Sequence, residues 1–135
     1  MPLNRRKERE LVFQMLFAAQ FSPDVETPEL YETLVRECEE EGAEKSEYVK
    51  TVFCGARDYA PIAMEKIASA AKGWKLERFS KTTLAILLLA VYEMDKVDQV
   101  PQKIAINEAV ELSKRFDDEK SRKFINGILG SLAQD

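Results

Sequence analysis

Apolar residues recur along this chain at spacings of three and four, and no alternating pattern runs longer than a few residues. Leu11, Val12, Met15, Leu16 and Ala19 share one helical stripe, widened by Phe13 and Phe17, which predicts a first helix over residues 4–20. Ser22-Pro23-Asp24 ends it. Thr27 is placed to cap a second helix, with Pro28 at the first helical position, where a missing N–H costs nothing. Leu30, Leu34 and Cys38 give that helix a thin apolar face, and Gly42 closes it. Ser46 caps a third helix running toward residue 72, with Gly73 as its stop and Val49, Val52, Phe53, Ala56, Ala60, Ala63, Met64 and Ile67 on its buried side. Pro61 inside it removes a bond to the carbonyl of Arg57, so a kink or break is expected there.

Residues 73–80 read as a connector pinned by Trp74, Leu76 and Phe79. The next helix, 81–95, is apolar nearly all round between residues 84 and 92, the signature of a helix buried by its neighbours. Residues 97–100 form a loop. Pro101 then starts a helix to residue 116, with Ile104, Ala105, Ala109, Leu112 and Phe116 facing the core. Asp117 or Asp118 caps a last helix whose core face is Phe124, Ile125, Ile128, Leu129 and Leu132. The expected fold is all-α: a compact orthogonal bundle of six or seven helices. It forms one domain over residues 1–135, built from an N-terminal half, 1–72, and a C-terminal half, 73–135.

Composition narrows the chemistry. The 135 residues are 45% hydrophobic and 33% charged, enough for a core and too little charge imbalance for disorder. A net charge of −4 excludes a generic basic nucleic-acid coat, so any RNA binding must use a local patch. The absence of histidine removes His triads, His bases and His metal ligands. Two cysteines, Cys38 and Cys54, are too few for a disulfide framework or zinc cluster and fit a reducing compartment. The basic N-terminus lacks the apolar run of a signal peptide, and no apolar stretch approaches the ~20 residues of a bilayer span. A soluble, cytoplasmic protein without membrane contact is expected. No phosphate-cradling glycine loop, nucleophile elbow or metal spacing occurs, so neither an enzyme nor a cofactor is expected.

Two segments break local rules. Arg5-Arg6-Lys7-Glu8-Arg9 places four cations at a helix N-terminus, against the macrodipole. Arg5 and Arg9 lie on the side of Val12 and Leu16, so they extend the core stripe toward a neighbouring element. Arginine forks suit phosphates and stack on bases; the alternative is a solvated basic terminus. In the last helix Lys123, Asn126, Gly127 and Gly130 form a small, polar face opposite the core stripe. Each interior glycine costs ~1 kcal/mol relative to alanine, which implies close approach of a neighbour. That neighbour is either another helix or an RNA backbone, with Lys123 on phosphate and Asn126 on a base edge or sugar. Phe124, at the stripe's edge, is core or a stacking platform. Between residues 24 and 47, ten carboxylates face only Arg36 and Lys45. This is a solvated face, or a surface that repels nucleic acid and keeps RNA elsewhere.

Five stretches, in order along the whole chain, resemble the NusB family. They are Arg5-Arg-Lys-Glu-Arg-Glu-Leu11, Trp74-Lys-Leu-Glu-Arg-Phe79, Leu87-Leu-Leu-Ala-Val-Tyr-Glu93, Val100-Pro-Gln-Lys-Ile-Ala-Ile-Asn-Glu-Ala-Val-Glu111 and Lys123-Phe-Ile-Asn-Gly-Ile-Leu129. The resemblance implies an all-helical fold of two subdomains. It implies binding of boxA-type RNA in ribosomal RNA leaders, jointly with ribosomal protein NusE. The complex joins elongating RNA polymerase and suppresses premature termination. On this likeness Arg5, Arg6 and Arg9 match the arginine-rich RNA-contacting motif, and Lys123, Phe124 and Asn126 the second RNA-contacting region. The NusE surface includes Glu77 and Arg78. Thr82-Thr83 stands where an acidic residue is usual, and Phe17 where tyrosine is common. NusB-like domains also occur fused to RNA methyltransferases, which need a glycine-rich cofactor loop absent from these residues. The competing reading is a homodimeric interaction scaffold whose basic patch is masked between subunits.

Overall fold

A computed structural model describes residues 3–72 and 79–133 of the chain. Among these residues are six α-helices and one 3₁₀ turn, and no strand. The helices are α1 (Arg5–Ala19), α2 (Thr27–Glu37), α3 (Glu47–Ala70), α4 (Lys81–Lys96), α5 (Gln102–Phe116) and α6 (Glu119–Leu132). The 3₁₀ turn, Ala43–Lys45, precedes α3.

Four helices start on a side-chain cap. Asn4, Ser46, Ser80 and Asp118 accept from the backbone N–H of Lys7, Val49, Thr83 and Ser121 respectively. Each satisfies one of the donors that a helix start leaves unbonded. The acceptance from Ser121 also holds the Asp118 carboxyl below its ordinary range.

Helix α4 is the centre, as its apolar circumference predicts. It packs against α1, α3, α5 and α6. Ala85, Ile86, Leu87, Leu88, Leu89, Ala90 and Val91 are all buried in consecutive positions. Such a run needs neighbours on every side, because each large side chain gains ~1.5–3 kcal/mol only when removed from water. Helix α1 contributes Leu11, Val12, Phe13, Met15, Leu16 and Ala19 to the same core, and Phe13 packs on Phe116 at 5.0 Å.

Four local expectations are corrected. Thr27 does not cap α2; it is the first helical residue, and the preceding Glu26 makes no side-chain cap. The Thr27 hydroxyl is engaged elsewhere, donating to Asp58 at 2.6 Å and accepting from Arg57 at 2.9 Å. Gly42 does not close α2, which ends at Glu37; with φ 90° it sets up the 3₁₀ turn instead. Of the kink or break expected at Pro61 the break does not occur, since α3 runs unbroken through it. Pro61 lies on the exposed side, where water can take the orphaned carbonyl of Arg57. Ile104 is exposed rather than core-facing. It precedes Ala105 by one helical step of ~100°, which turns it away from the face that Ala105, Ala109 and Leu112 bury.

Candidate nucleic-acid interface

The cations of the first segment project from the start of α1, and each one meets a carboxylate. Arg5 pairs with Glu8 at 3.1 Å and lies over the Tyr48 ring, 4.1 Å from its centroid. Arg6 donates two bonds across the fold to Glu108, at 3.2 and 2.7 Å. Lys7 contacts Glu10 and Glu40, both at 3.1 Å. Arg9 donates to both oxygens of Glu93, at 2.9 and 3.1 Å, and its Nη1 lies 3.8 Å from Glu108. The helix dipole opposes these charges. Carboxylates from α1, α4, α5 and the segment before the 3₁₀ turn compensate them.

Arg9 and Arg6 sit in opposite environments. The Arg9 side chain is 9% exposed and its partner Glu93 1%. Tyr48 donates to the second oxygen of Glu93 at 2.8 Å, so that carboxylate is fully engaged. Burial works against the charge on Arg9, but the contact with Glu93 outweighs it and holds Arg9 above its ordinary pKa. The Tyr48 hydroxyl is pushed up, first by burial and then by the Glu93 charge. Arg6, in contrast, is 65% exposed. The extension of the core stripe by Arg5 and Arg9 thus resolves into one aromatic-stacked cation and one buried ion pair, with Arg6 beside them facing solvent.

On α6, Lys123, Asn126, Gly127 and Gly130 are all exposed. A Cβ built on Gly127 or Gly130 meets nothing within 4 Å. The close neighbour implied by two glycines on one face is therefore no other helix among the described residues. Phe124 is half-buried against Phe79, edge to face at 4.8 Å.

The structure gathers Arg5, Arg6 and Arg9 around Tyr48, Glu93 and Glu108, and places Lys123, Phe124 and Asn126 together on α6. Helix α5 adjoins both sets, touching α6 along its length and α1 through Glu108, Arg115 and Phe116. Glu77 and Arg78, with Trp74 and Leu76, lie outside the described residues. Thr83 is buried and donates to Asp117 at 2.6 Å, tying the start of α4 to the start of α6. Phe17 packs against Phe21.

Sequence reasoning missed Tyr48, Glu93 and Glu108. Glu93 carried a signal: it directly follows the apolar run of α4 and is flanked by Tyr92 and Met94, and a buried carboxylate needs a buried cation. Glu108 carried none: α5 has two acids, Glu108 and Glu111, and nothing in their spacing marks one of them as the partner of a distant arginine. Among the described residues, no group of three or more His, Cys, Asp or Glu is placed to hold a metal ion. No helix there is long and apolar enough to cross a membrane.

Comparison with known proteins places this geometry. A profile described as the NusB family matches residues 6–134. A protein from Limosilactobacillus fermentum named transcription antitermination protein NusB is 44% identical over 98% of this chain and 94% of its own length. Proteins of the same name from Lactiplantibacillus plantarum and Clostridium botulinum (strain Kyoto) are each 38% identical, over 99% and 96% of this chain and 97% and 99% of their own lengths. A solved structure of T. maritima NusB superposes with a TM-score of 0.83 at 30% identity, covering 98% of this chain and 92% of that one. The chain belongs to the NusB family.

Proposed function

We propose that this chain is a transcription antitermination factor that acts as an RNA-binding module and not as an enzyme. It binds boxA-type RNA of ribosomal RNA leaders jointly with ribosomal protein NusE, within the elongating RNA polymerase complex. The observation that carries the reading is the α6 face. Lys123, Asn126, Gly127 and Gly130 are exposed together, and the glycines leave open space where a nucleic-acid backbone can approach.

Roles follow from chemistry. Lys123 and Arg6 meet phosphates, Asn126 meets a base edge or sugar, and Arg5 offers a guanidinium plane already held against Tyr48. Phe124 presents what its packing on Phe79 leaves accessible. Arg9, locked to Glu93, holds the start of α1 in place beneath these groups. Glu77 and Arg78 are assigned to the NusE contact on family likeness. The test is Arg5→Ala with Arg6→Ala in one chain. It weakens boxA RNA binding and flattens its salt dependence while the far-UV circular dichroism is unchanged; undiminished binding sinks the assignment.

A further inference from the structure

We infer that Glu108 is an internal stand-in for an RNA phosphate: it occupies the fork of Arg6 in the RNA-free chain and is displaced when RNA docks. The inference rests on the RNA-binding reading above and adds a regulator to the same site.

Three observations carry it. First, the contact has the geometry of the one it would exclude. Both terminal oxygens of Glu108 take Arg6, from Nε at 3.2 Å and Nη2 at 2.7 Å. A guanidinium binds carboxylate and phosphate through the same two-pronged fork, so it cannot serve both in that orientation.

Second, the two partners differ in freedom. The Glu108 side chain is 15% exposed, on a helix anchored by Ala105, Ala109 and Leu112. Arg6 is the most exposed cation of the α1 cluster. Release therefore means that Arg6 swings outward while Glu108 stays. Third, Glu108 is not stranded by that release. Nη1 of the buried Arg9 lies 3.8 Å from Oε1, the oxygen that also accepts from Arg6 Nε, and keeps a positive neighbour beside it.

The consequence is a raised threshold for polyanions. An RNA must supply contacts that outweigh one exposed ion pair before it gains Arg6. Neutralising Glu108 lowers that threshold. The gain should match the strength of an exposed pair, roughly 1.5- to 5-fold in Kd. Arg6 then also behaves as a full cation toward single-stranded RNA, so the salt slope steepens by about 0.7.

The experiment compares the full chain with Glu108→Gln, Glu111→Gln, Arg6→Ala and the Arg6→Ala/Glu108→Gln pair. Each is titrated by fluorescence anisotropy into a boxA RNA and a scrambled RNA of equal length, across salt concentrations, after circular dichroism shows the fold intact. Glu111 is the charge control, because it pairs with Lys114 at 3.0 Å. The expected result is tighter binding by Glu108→Gln than by Glu111→Gln, with the gain abolished in the Arg6→Ala background. Equal gains from both glutamates, a gain that survives Arg6→Ala, or weaker binding by Glu108→Gln would each overturn the inference. Equal affinity for the two RNAs removes boxA recognition while leaving the Glu108 comparison readable. No binding of either RNA by the unsubstituted chain removes both.

Discussion

Arg9 carries its charge on a side chain only 9% exposed, and the cost of that burial is met by Glu93 and, through Glu93, by Tyr48. Removing one member of a buried pair leaves the other uncompensated, which typically costs about 3–5 kcal/mol. Glu93→Ala is therefore expected to lower the unfolding free energy by about that amount, read as a lower urea midpoint at an unchanged m-value. The pair Arg9→Met/Glu93→Leu should recover most of the loss, since an apolar replacement asks for no counter-charge. A second residue-scale prediction concerns acid. Burial pushes the Glu10 carboxyl up, but hydrogen bonds from Lys7 and Arg115 outweigh it and hold it below the ordinary 4.5. A depressed carboxylate contributes stability that is fully present above its unfolded pKa and lost as pH falls through the folded one. Stability should thus decline on acidification below about pH 4.5, and Glu10→Gln should flatten that decline in urea titrations run from pH 7 to 3. The side on which Arg9 lies was legible, because the helical wheel places it with Val12 and Leu16; its burial was not, since Arg5 on the same side is exposed. Its partner was not, since Glu93 is 84 positions away and Glu108 is 102 positions from Arg6. Only tertiary structure brings such pairs together.

Elements were read more completely than their ends. Apolar periodicity located all six described helices, because each buries one stripe and α4 buries its whole circumference. Ends failed where a side chain had a better offer than the local backbone. Thr27 is the clearest case, its hydroxyl taken by Asp58 and Arg57 from α3. The glycines of α3 and α6 make opposite predictions. A Cβ on Gly55 would collide with the hydroxyl and ring of Tyr92, so Gly55→Ala should destabilise by ~1–3 kcal/mol through overpacking. Gly127→Ala enters open space inside α6 and should stabilise by ~0.5–1 kcal/mol, while Gly130→Ala, equally open but in the last turn of the helix, should stabilise by less. The melting temperature should therefore rise for the α6 variants and fall for the α3 one. If the α6 face lies against RNA, the two stabilised variants should also bind boxA RNA less tightly. Higher stability with unaltered affinity would detach the glycines from the RNA surface.

Across the whole molecule, charge is partitioned rather than neutral. The chain carries −4 overall, yet the start of α1 is cationic and its cations sit beside carboxylates that hold them. The acidic stretch before α3 is not remote from this site: Glu40 reaches Lys7. Such a surface should bind polyanions weakly in general and strongly only where several contacts form at once. Within it, Lys123→Ala should weaken all RNAs alike and reduce the salt slope by about 0.7. Asn126→Ala should instead narrow the preference for boxA over scrambled RNA. The central claim, sequence-selective RNA binding shared with NusE, is tested most directly by one anisotropy titration. The full chain is added to boxA RNA and to a scrambled control, with and without NusE. The account predicts tighter binding to boxA than to the control, and a further gain for boxA alone when NusE is present. Equal binding to both RNAs under both conditions would contradict it.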